Sequence, residues 1–303
     1  MTSGGLHGVG ISVVNALSEK LTVEVVKNRV CYSQSFSKGM PLGKLLKIGE
    51  TRIKSGTKIT FSPDKTIFNG NEFFNPEKIY ELAKSKAYLF SGVTIDWKAP
   101  NIGENNLNKI PTSERFHFEN GLTDLVRSKT VVEYNITNDY FVGEADFKEK
   151  FDLNEKGSIH WCACFNTYNP VIKSFCNTIP TSEGGTHQTG FLNAIAKGFK
   201  SYVELIGDKK FSAINKDDVL EILSSSISVF VEQPQFVGQT KDKLSNLEVQ
   251  KKVERIIKDR FENWLANDKS RTLLLIENLR MRAEQRIQTK QKKETLRKTP
   301  LKR

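Results

Sequence analysis

Residues 3–18 read SGGLHGVGISVVNALS: four glycines fall within seven residues, and an apolar, helix-like run follows them. A glycine-rich turn feeding a helix aims several backbone N–H groups at one point. That arrangement holds anions, phosphates above all. The spacing excludes the two commonest nucleotide loops. No Gly-Lys-Ser/Thr follows, so this is not a P-loop. Val13 stands where a dinucleotide fingerprint places its third glycine. By chemistry alone the segment is a phosphate cradle or a turn that merely starts a helix.

The rest of the chain tells what kind of scaffold the loop belongs to. Residues 21–36 read as two strands around a turn at 27–29, and residues 57–64 as a strand closed by Pro63. Residues 75–90 read as a helix, with Asn75 as cap and Pro76 in its first turn. Residues 93–98 form another strand. Strand and helix patterns thus alternate over the first hundred residues, which predicts an α/β fold. The polar stretch 99–114 is a loop and a domain joint.

In a second unit, residues 158–166 and 171–180 look like a strand pair. Residues 183–205 are a turn and then a helix, with Phe191, Ile195, Phe199 and Val203 on one face. A strand follows and ends at Pro234. From Ser245 the chain is helical: Ser245 and Glu248 fit a capping box. Val253, Ile256, Ile257, Phe261, Trp264 and Leu265 form one apolar stripe. A further helix is expected from near Asp268 to about Lys293.

The length of 303 residues accommodates two domains, and 38% hydrophobic with 27% charged content describes a globular protein. No apolar run reaches the length of a membrane span, and no leader pattern opens the chain. Four cysteines are too few for a disulfide scaffold, which favours a reducing compartment. Cys162 and Cys164, with His160 beside them, lack the second pair that a zinc site needs, so they read as core or half-exposed thiols. The net charge of +11 is concentrated: residues 280–303 carry ten Lys or Arg against two Glu, leaving only +3 elsewhere. The C-terminal end, not the whole chain, is the candidate nucleic-acid surface.

Four segments together resemble a known family. GGLHGVGISVVNALS is similar, nearly residue for residue, to the nucleotide lid of type II topoisomerase ATPase subunits, within the gyrase, Hsp90, histidine-kinase and MutL superfamily. SGTKITFSPD resembles the strand of that fold that carries a threonine near adenine. IPTSEGGTH and PQFVGQTKDKL resemble two signatures of the adjoining transducer domain, and the four occur in the family's order. The resemblance implies a truncated Bergerat-type GHKL ATPase sandwich over residues 1–115. A transducer of ribosomal S5 domain 2-like fold with long C-terminal helices would take 116–303.

It also implies roles. Gly5, Leu6, His7, Gly8, Val9, Gly10 and Ile11 would wrap the triphosphate of ATP with backbone amides, His7 shaping the loop. Val13 and Val14 would begin the helix behind them, its apolar face in the core. Thr57 would reach adenine through water. Lys241, helped by Gln239, would reach the γ-phosphate; a compact charge on a long stem suits this. The glycines and histidine of 184–187 would contact the ATP domain, or simply form a turn and helix cap.

In the family a glutamate general base, an asparagine for Mg²⁺ and an aspartate for adenine precede the lid, so the chain is expected to be a middle fragment without ATPase activity of its own. No catalytic or metal-binding residue is assigned to it. The segments FVEQPQFVGQTKDKL, FENWLAND and ETLRKTPLKR are more similar to the topoisomerase IV branch than to the gyrase branch. That branch implies DNA, a second copy of the same subunit and the DNA-cleaving A subunit as partners in the bacterial cytoplasm, two copies of each making the assembly. The alternative is a non-catalytic module whose second half and basic tail bind DNA or a partner without nucleotide.

Overall fold

The computed structural model describes residues 8–69, 74–99, 110–148, 156–207 and 209–298, with the side chains of the last helix described up to residue 292. These residues divide into two compact units. One takes those within Gly5–Glu81 together with Ile110 and Pro111; the other takes those within Leu82–Pro100 and Thr112–Arg303.

The smaller unit opens with helix α1 (Gly10–Ala16) and then builds an antiparallel sheet from β1 (Ser18–Lys27), β2 (Val30–Ser37), β3 (Met40–Pro41), β4 (Leu46–Glu50) and β5 (Ser55–Pro63). The order is β3-β2-β1-β5, with β4 also on β2. The β1–β2 hairpin turns at Asn28 and Arg29, which have φ of 52° and 66°. Two left-handed residues match the twist of a tight hairpin. Leu21 is the buried anchor of β1, facing Phe36 on one side and Phe61 on the other. Helix α2 (Lys65–Phe68) follows, then α3 (Pro76–Leu89), whose residues from Leu82 onward, Lys86 among them, belong to the larger unit; Asn75 Oδ1 accepts the Lys78 amide at 3.1 Å, as its position before Pro76 predicts.

In the larger unit, β6 (Ile95–Lys98) and β7 (Ser113–Phe116) make a two-stranded ribbon, and α4 (Leu122–Lys129) precedes the main sheet. That sheet consists of β8 (Phe141–Asp146), β9 (Gly157–Phe165), β10 (Ile172–Cys176), β11 (Ile179–Pro180) and β12 (Leu223–Val231), in the order β11-β10-β12-β9-β8. β9 and β10 are therefore not the pair their sequence proximity suggests. β12 lies between them, parallel to β10 and antiparallel to β9. The reason is the long helix α5 (Thr186–Ile206), which carries the chain from β10 and β11 to a parallel neighbour; parallel strands require such a crossover.

Helices α6 (Lys216–Leu220), α7 (Leu247–Asn267) and α8 (Lys269–Lys298) complete the unit. Phe191, Ile195 and Phe199 of α5 and Val253, Ile257, Phe261 and Leu265 of α7 are all fully buried in one core with Phe165 and Ile227. The helices approach closely because Gly190 has no side chain: a Cβ there would stand 2.5 Å from the Gln250 carbonyl oxygen. On α4, Val126 packs with Cys162 and Cys164, so these thiols are core. Burial pushes them up to about 11 and about 12.

The capping box does not form. The N-cap of α7 is Asn246, without a side-chain bond to the helix. Ser245 Oγ instead donates to the Gln235 carbonyl at 3.0 Å, and Asn246 Oδ1 accepts the Gln235 amide at 2.7 Å. Satisfying this preceding segment wins over the local cap. α8 starts where expected, with the Arg271 amide on Asp268 Oδ1 at 2.9 Å, and runs past Lys293.

Candidate functional site

Of the glycine segment, Gly5, Leu6 and His7 lie outside the described residues. Gly8 has φ of +65°, and α1 starts behind Val9 with no side-chain cap. The first amide bonded back is that of Val13, to Val9 O at 2.9 Å. The amides of Gly10, Ile11 and Ser12 thus have no helical acceptor, the donor set an anion can use. The expected burial of the helix's apolar face is not observed. No residue of α1 is buried, and Val13 is 48% exposed. The helix is held by polar contacts instead: Ser18 Oγ donates to Val14 O at 2.6 Å and Asn15 Nδ2 to Gly39 O at 3.4 Å.

Asp64, the last residue of the SGTKITFSPD motif, fixes the C-terminal end of α1, a role the sequence did not disclose. Its amide donates to Leu17 O at 2.9 Å while the Lys38 amide donates to Ser18 O at 2.8 Å. The carboxylate pairs with Lys38 at 2.9 Å and accepts the amide and hydroxyl of Thr66. The lysine, then the two Thr66 bonds, hold it down at about 2. The pattern Asp-Lys-Thr before a short helix is an N-cap signal that could have revealed it. Thr57 lies opposite Val25 in β5 and is exposed.

In the larger unit the two transducer-like motifs close into one clasp. Leu244 bridges Phe236 in antiparallel and Gly185 in parallel fashion. The Thr186 amide donates to Leu244 O at 3.0 Å, the Leu244 amide to Gly184 O at 3.2 Å, and the Glu183 amide to Asp242 O at 3.0 Å. Ser182 Oγ donates to Asp242 Oδ1 at 2.7 Å; that hydroxyl, followed by the Thr240 hydroxyl, holds the Asp242 carboxyl below its ordinary range.

The segment 237–243 stands out from this clasp as a loop, its base closed by Val237 N on Lys243 O at 2.9 Å. Lys241 sits in it at φ of +61°, a conformation that few non-glycine residues adopt and that costs on the order of 1 kcal/mol or more. Its Nζ lies 6.0 Å from the Phe236 ring centre, and Gln239 is exposed on the same loop. Gln239 and Lys241 are thus brought together, on a loop whose two ends are fixed.

Gly184 and Gly185 are required here for packing. Gly185 has φ of +137°, and a Cβ on it would lie 2.4 Å from Leu244 O. His187 points inward: it is fully buried, its Nε2 meets Thr181 Oγ1 at 3.2 Å, and burial pushes it down to about 4, so it is neutral at pH 7. Just before the motif, Asn177 and Thr178 are both left-handed. Lys86 on α3 secures that turn, donating to Thr178 O at 2.6 Å and Thr178 Oγ1 at 2.7 Å, and burial lowers its pKa. Nothing local in the sequence marks Lys86, because its partner lies 92 positions away.

The basic tail is less basic than its composition. Arg280 pairs with Glu277 and Glu284, Arg282 with Glu221 at 3.0 Å, and Arg286 with the buried Asp218 at 2.9 Å. Lys290 and Lys292 are exposed. Among the described residues no cluster of three or more His, Cys, Asp or Glu could hold a metal ion, and no helix is long and apolar enough to cross a membrane.

Comparison with known proteins gives this arrangement its family. Residues 119–295 match the DNA gyrase B family model. The DNA topoisomerase 4 B subunits of Bartonella bacilliformis and Rickettsia conorii are 44% and 42% identical, each over 98% of this chain. The chain spans 42% and 44% of their lengths, under half of the relatives it matches. Among solved structures, the 43K ATPase domain of Thermus thermophilus gyrase B, in complex with an aminocoumarin, superposes with a TM-score of 0.74 at 30% identity. That match covers 95% of this chain and 75% of the other. The topoisomerase IV ATP-binding domain of Francisella tularensis, in complex with a small-molecule inhibitor, gives 0.68 at 31%, covering 94% and 75%.

The fold is that of a type II topoisomerase ATPase region. The chain belongs to the DNA gyrase B family, and its curated relatives above carry the topoisomerase IV name.

Proposed function

We propose that this chain is the phosphate-lid and transducer portion of the ATPase subunit of a type II DNA topoisomerase, of the topoisomerase IV kind. In this reading ATP binding is coupled to closure of the subunit pair and to DNA strand passage. The backbone of Gly5, Leu6, His7, Gly8, Val9, Gly10 and Ile11 binds the triphosphate, Thr57 contacts adenine through water, and Gln239 and Lys241 bind the γ-phosphate. Mg²⁺, when bound with ATP, neutralises phosphate charge; no residue of this chain is assigned to it. Residues 1–115 act as the lid-bearing part of the ATPase domain and 116–303 as the transducer. The partners are DNA, a second copy of the same subunit and the DNA-cleaving A subunit, in the bacterial cytoplasm at the nucleoid.

The observation that carries the reading is the clasp, which holds Lys241 in a strained conformation on a loop fixed at both ends. Arg29 and Lys38 hold a similar φ where hairpin turns require it. Lys241 holds it outside any hairpin of named strands, on the loop that the clasp fixes at both ends, where such a conformation supports a side chain aimed at a ligand. The rival reading, a DNA- or partner-binding module working through the tail, loses support because Arg286 is tied to the buried Asp218 and Arg280 and Arg282 are paired with surface glutamates of the same chain.

The test is calorimetric titration of ATP and ADP into a full-length ATPase subunit carrying this span. A charge-assisted contact contributes roughly 1.5–3 kcal/mol, so Lys241→Ala should weaken ATP about 10-fold or more and ADP little. Equal losses for both nucleotides overturn the assignment. The 303-residue chain alone is expected to release no phosphate from Mg²⁺-ATP; turnover that survives Lys241→Ala would sink the assignment of roles.

A further inference from the structure

Within the larger unit, the C-terminal half of α5 and described residues leading into α6 line a half-open cavity of about 460 Å³ that no part of the proposed function uses. Its volume falls in the range of pockets that take small organic ligands, roughly 300–1,000 Å³. The buried lining is apolar: Val203 and Phe211 are 9% and 4% exposed, with Ala196 and Ile214 beside them. The exposed lining is basic. Among the described lining residues, Lys197, Lys200, Lys209 and Lys216 stand around it with one acid, Glu204.

The charges are not equivalent. Lys197 is paired with Glu254, and Lys200 lies 3.8 Å from Glu204. Lys216 donates to the neutral Asn193 Oδ1 at 2.7 Å. Neither Lys209 nor Lys216 has a carboxylate ion-pair partner among the described residues. Lys216 also feels the Glu254 carboxylate, which already pairs with Lys197. Two ammonium groups without a salt bridge of their own among the described residues thus stand over an apolar floor. A purely apolar guest would leave them unused, and a purely ionic one would leave the floor wet.

We infer that this cavity is a binding site for a small amphipathic anion, an aromatic or alicyclic body bearing a carboxylate, sulfonate or phosphate, with its ring over Phe211 and Val203 and its charge at Lys209 and Lys216.

Methyl NMR of the whole chain tests it, with Ala, Ile and Val labelled and 2-naphthalenesulfonate as the probe. Saturable shifts are expected at Ala196, Val203 and Ile214. The affinity should fall about tenfold when Lys209 and Lys216 are both replaced by Glu. Ala196→Leu, a helix-compatible change that fills the cavity, should abolish the shifts while leaving the remaining spectrum intact. Uncharged 2-naphthalenemethanol should bind more weakly than the sulfonate. The proposal is overturned if these three methyls stay still while others shift, or if the charge reversals leave the affinity unchanged. It is also overturned if an acidic amphipathic peptide moves these methyls and the sulfonate does not.

Discussion

Gly185→Ala should damage the clasp far more than a glycine-to-alanine change ordinarily damages a protein. The new Cβ would lie 2.4 Å from Leu244 O and 2.5 Å from Leu244 N, both backbone atoms that cannot rotate away. The chain must separate there, losing the bonds from Thr186 N to Leu244 O and from Leu244 N to Gly184 O. Two backbone hydrogen bonds are worth about 2 kcal/mol, and alanine at φ of +137° adds roughly 1–3 kcal/mol. The total, about 3–5 kcal/mol, corresponds to a drop in melting temperature of roughly 6–20 °C for a unit of this size.

Gly207 supplies the control. It also has positive φ, +70°, as the residue that ends α5, but among the described residues nothing lies within 4 Å of its missing Cβ. Gly207→Ala should therefore carry strain alone, about 1 kcal/mol and a few degrees. Thermal denaturation followed by circular dichroism compares the two. Hydrogen exchange at Thr186 and Leu244 should lose protection in Gly185→Ala only. Equal melting shifts for the two variants would refute the contact argument and leave backbone conformation as the whole effect.

Stability should fall with acid in two stages. His187 is neutral in the fold and pushed down to about 4 from 6.5, so its stabilising effect is complete above pH 6.5 and is lost as the pH falls towards 4. Asp64 is held at about 2 from 3.8, so its effect is complete above pH 3.8 and is lost on going down through 2. Urea midpoints measured against pH should show His187→Gln flattening the first stage and Asp64→Asn the second. Thiol titration should find Cys31, which is partly exposed, reacting fast and Cys162, Cys164 and Cys176 reacting only on unfolding. If the tail binds DNA, Lys290→Gln and Lys292→Gln should each flatten the salt slope by roughly one unit. Arg280→Gln should change it little, since that arginine's charge is already met.

The sequence showed most elements and not their order. Helix α5 was legible because Phe191, Ile195, Phe199 and Val203 recur at one helical spacing and all four are buried. The β1–β2 hairpin was legible because two β-rich runs flank a short polar turn. The place of β12 between β9 and β10 was not, because strand order is settled by how α5 packs, which no short window contains. The tail shows the same limit in electrostatic form. Arg286 is visible as a charge, but its partner Asp218 lies 68 positions earlier, in a capping box at the start of α6. What read as a free positive surface is in part an internal tie between α8 and α6.

The clasp shows why residues of a site can be legible while their dependence on one another is not. Lys241 and Gln239 were identifiable by resemblance, and Gly184 and Gly185 could be read as a turn. Only the fold shows that Leu244, three residues beyond Lys241, occupies the space a side chain at position 185 would need. The loop that bears Lys241 is therefore anchored by the absence of an atom in a different motif. Backbone strain at Lys241 persists only while its flanks are held, since a free loop would relax to negative φ. It follows that Gly185→Ala should reach the nucleotide indirectly, by letting Lys241 relax. In the full-length ATPase subunit, ATP affinity should then fall in Gly185→Ala even at temperatures where the variant is folded, and Gly207→Ala should leave it unchanged. Retention of full ATP affinity by folded Gly185→Ala protein would show that the left-handed lysine is a by-product of the loop and not a requirement of the site.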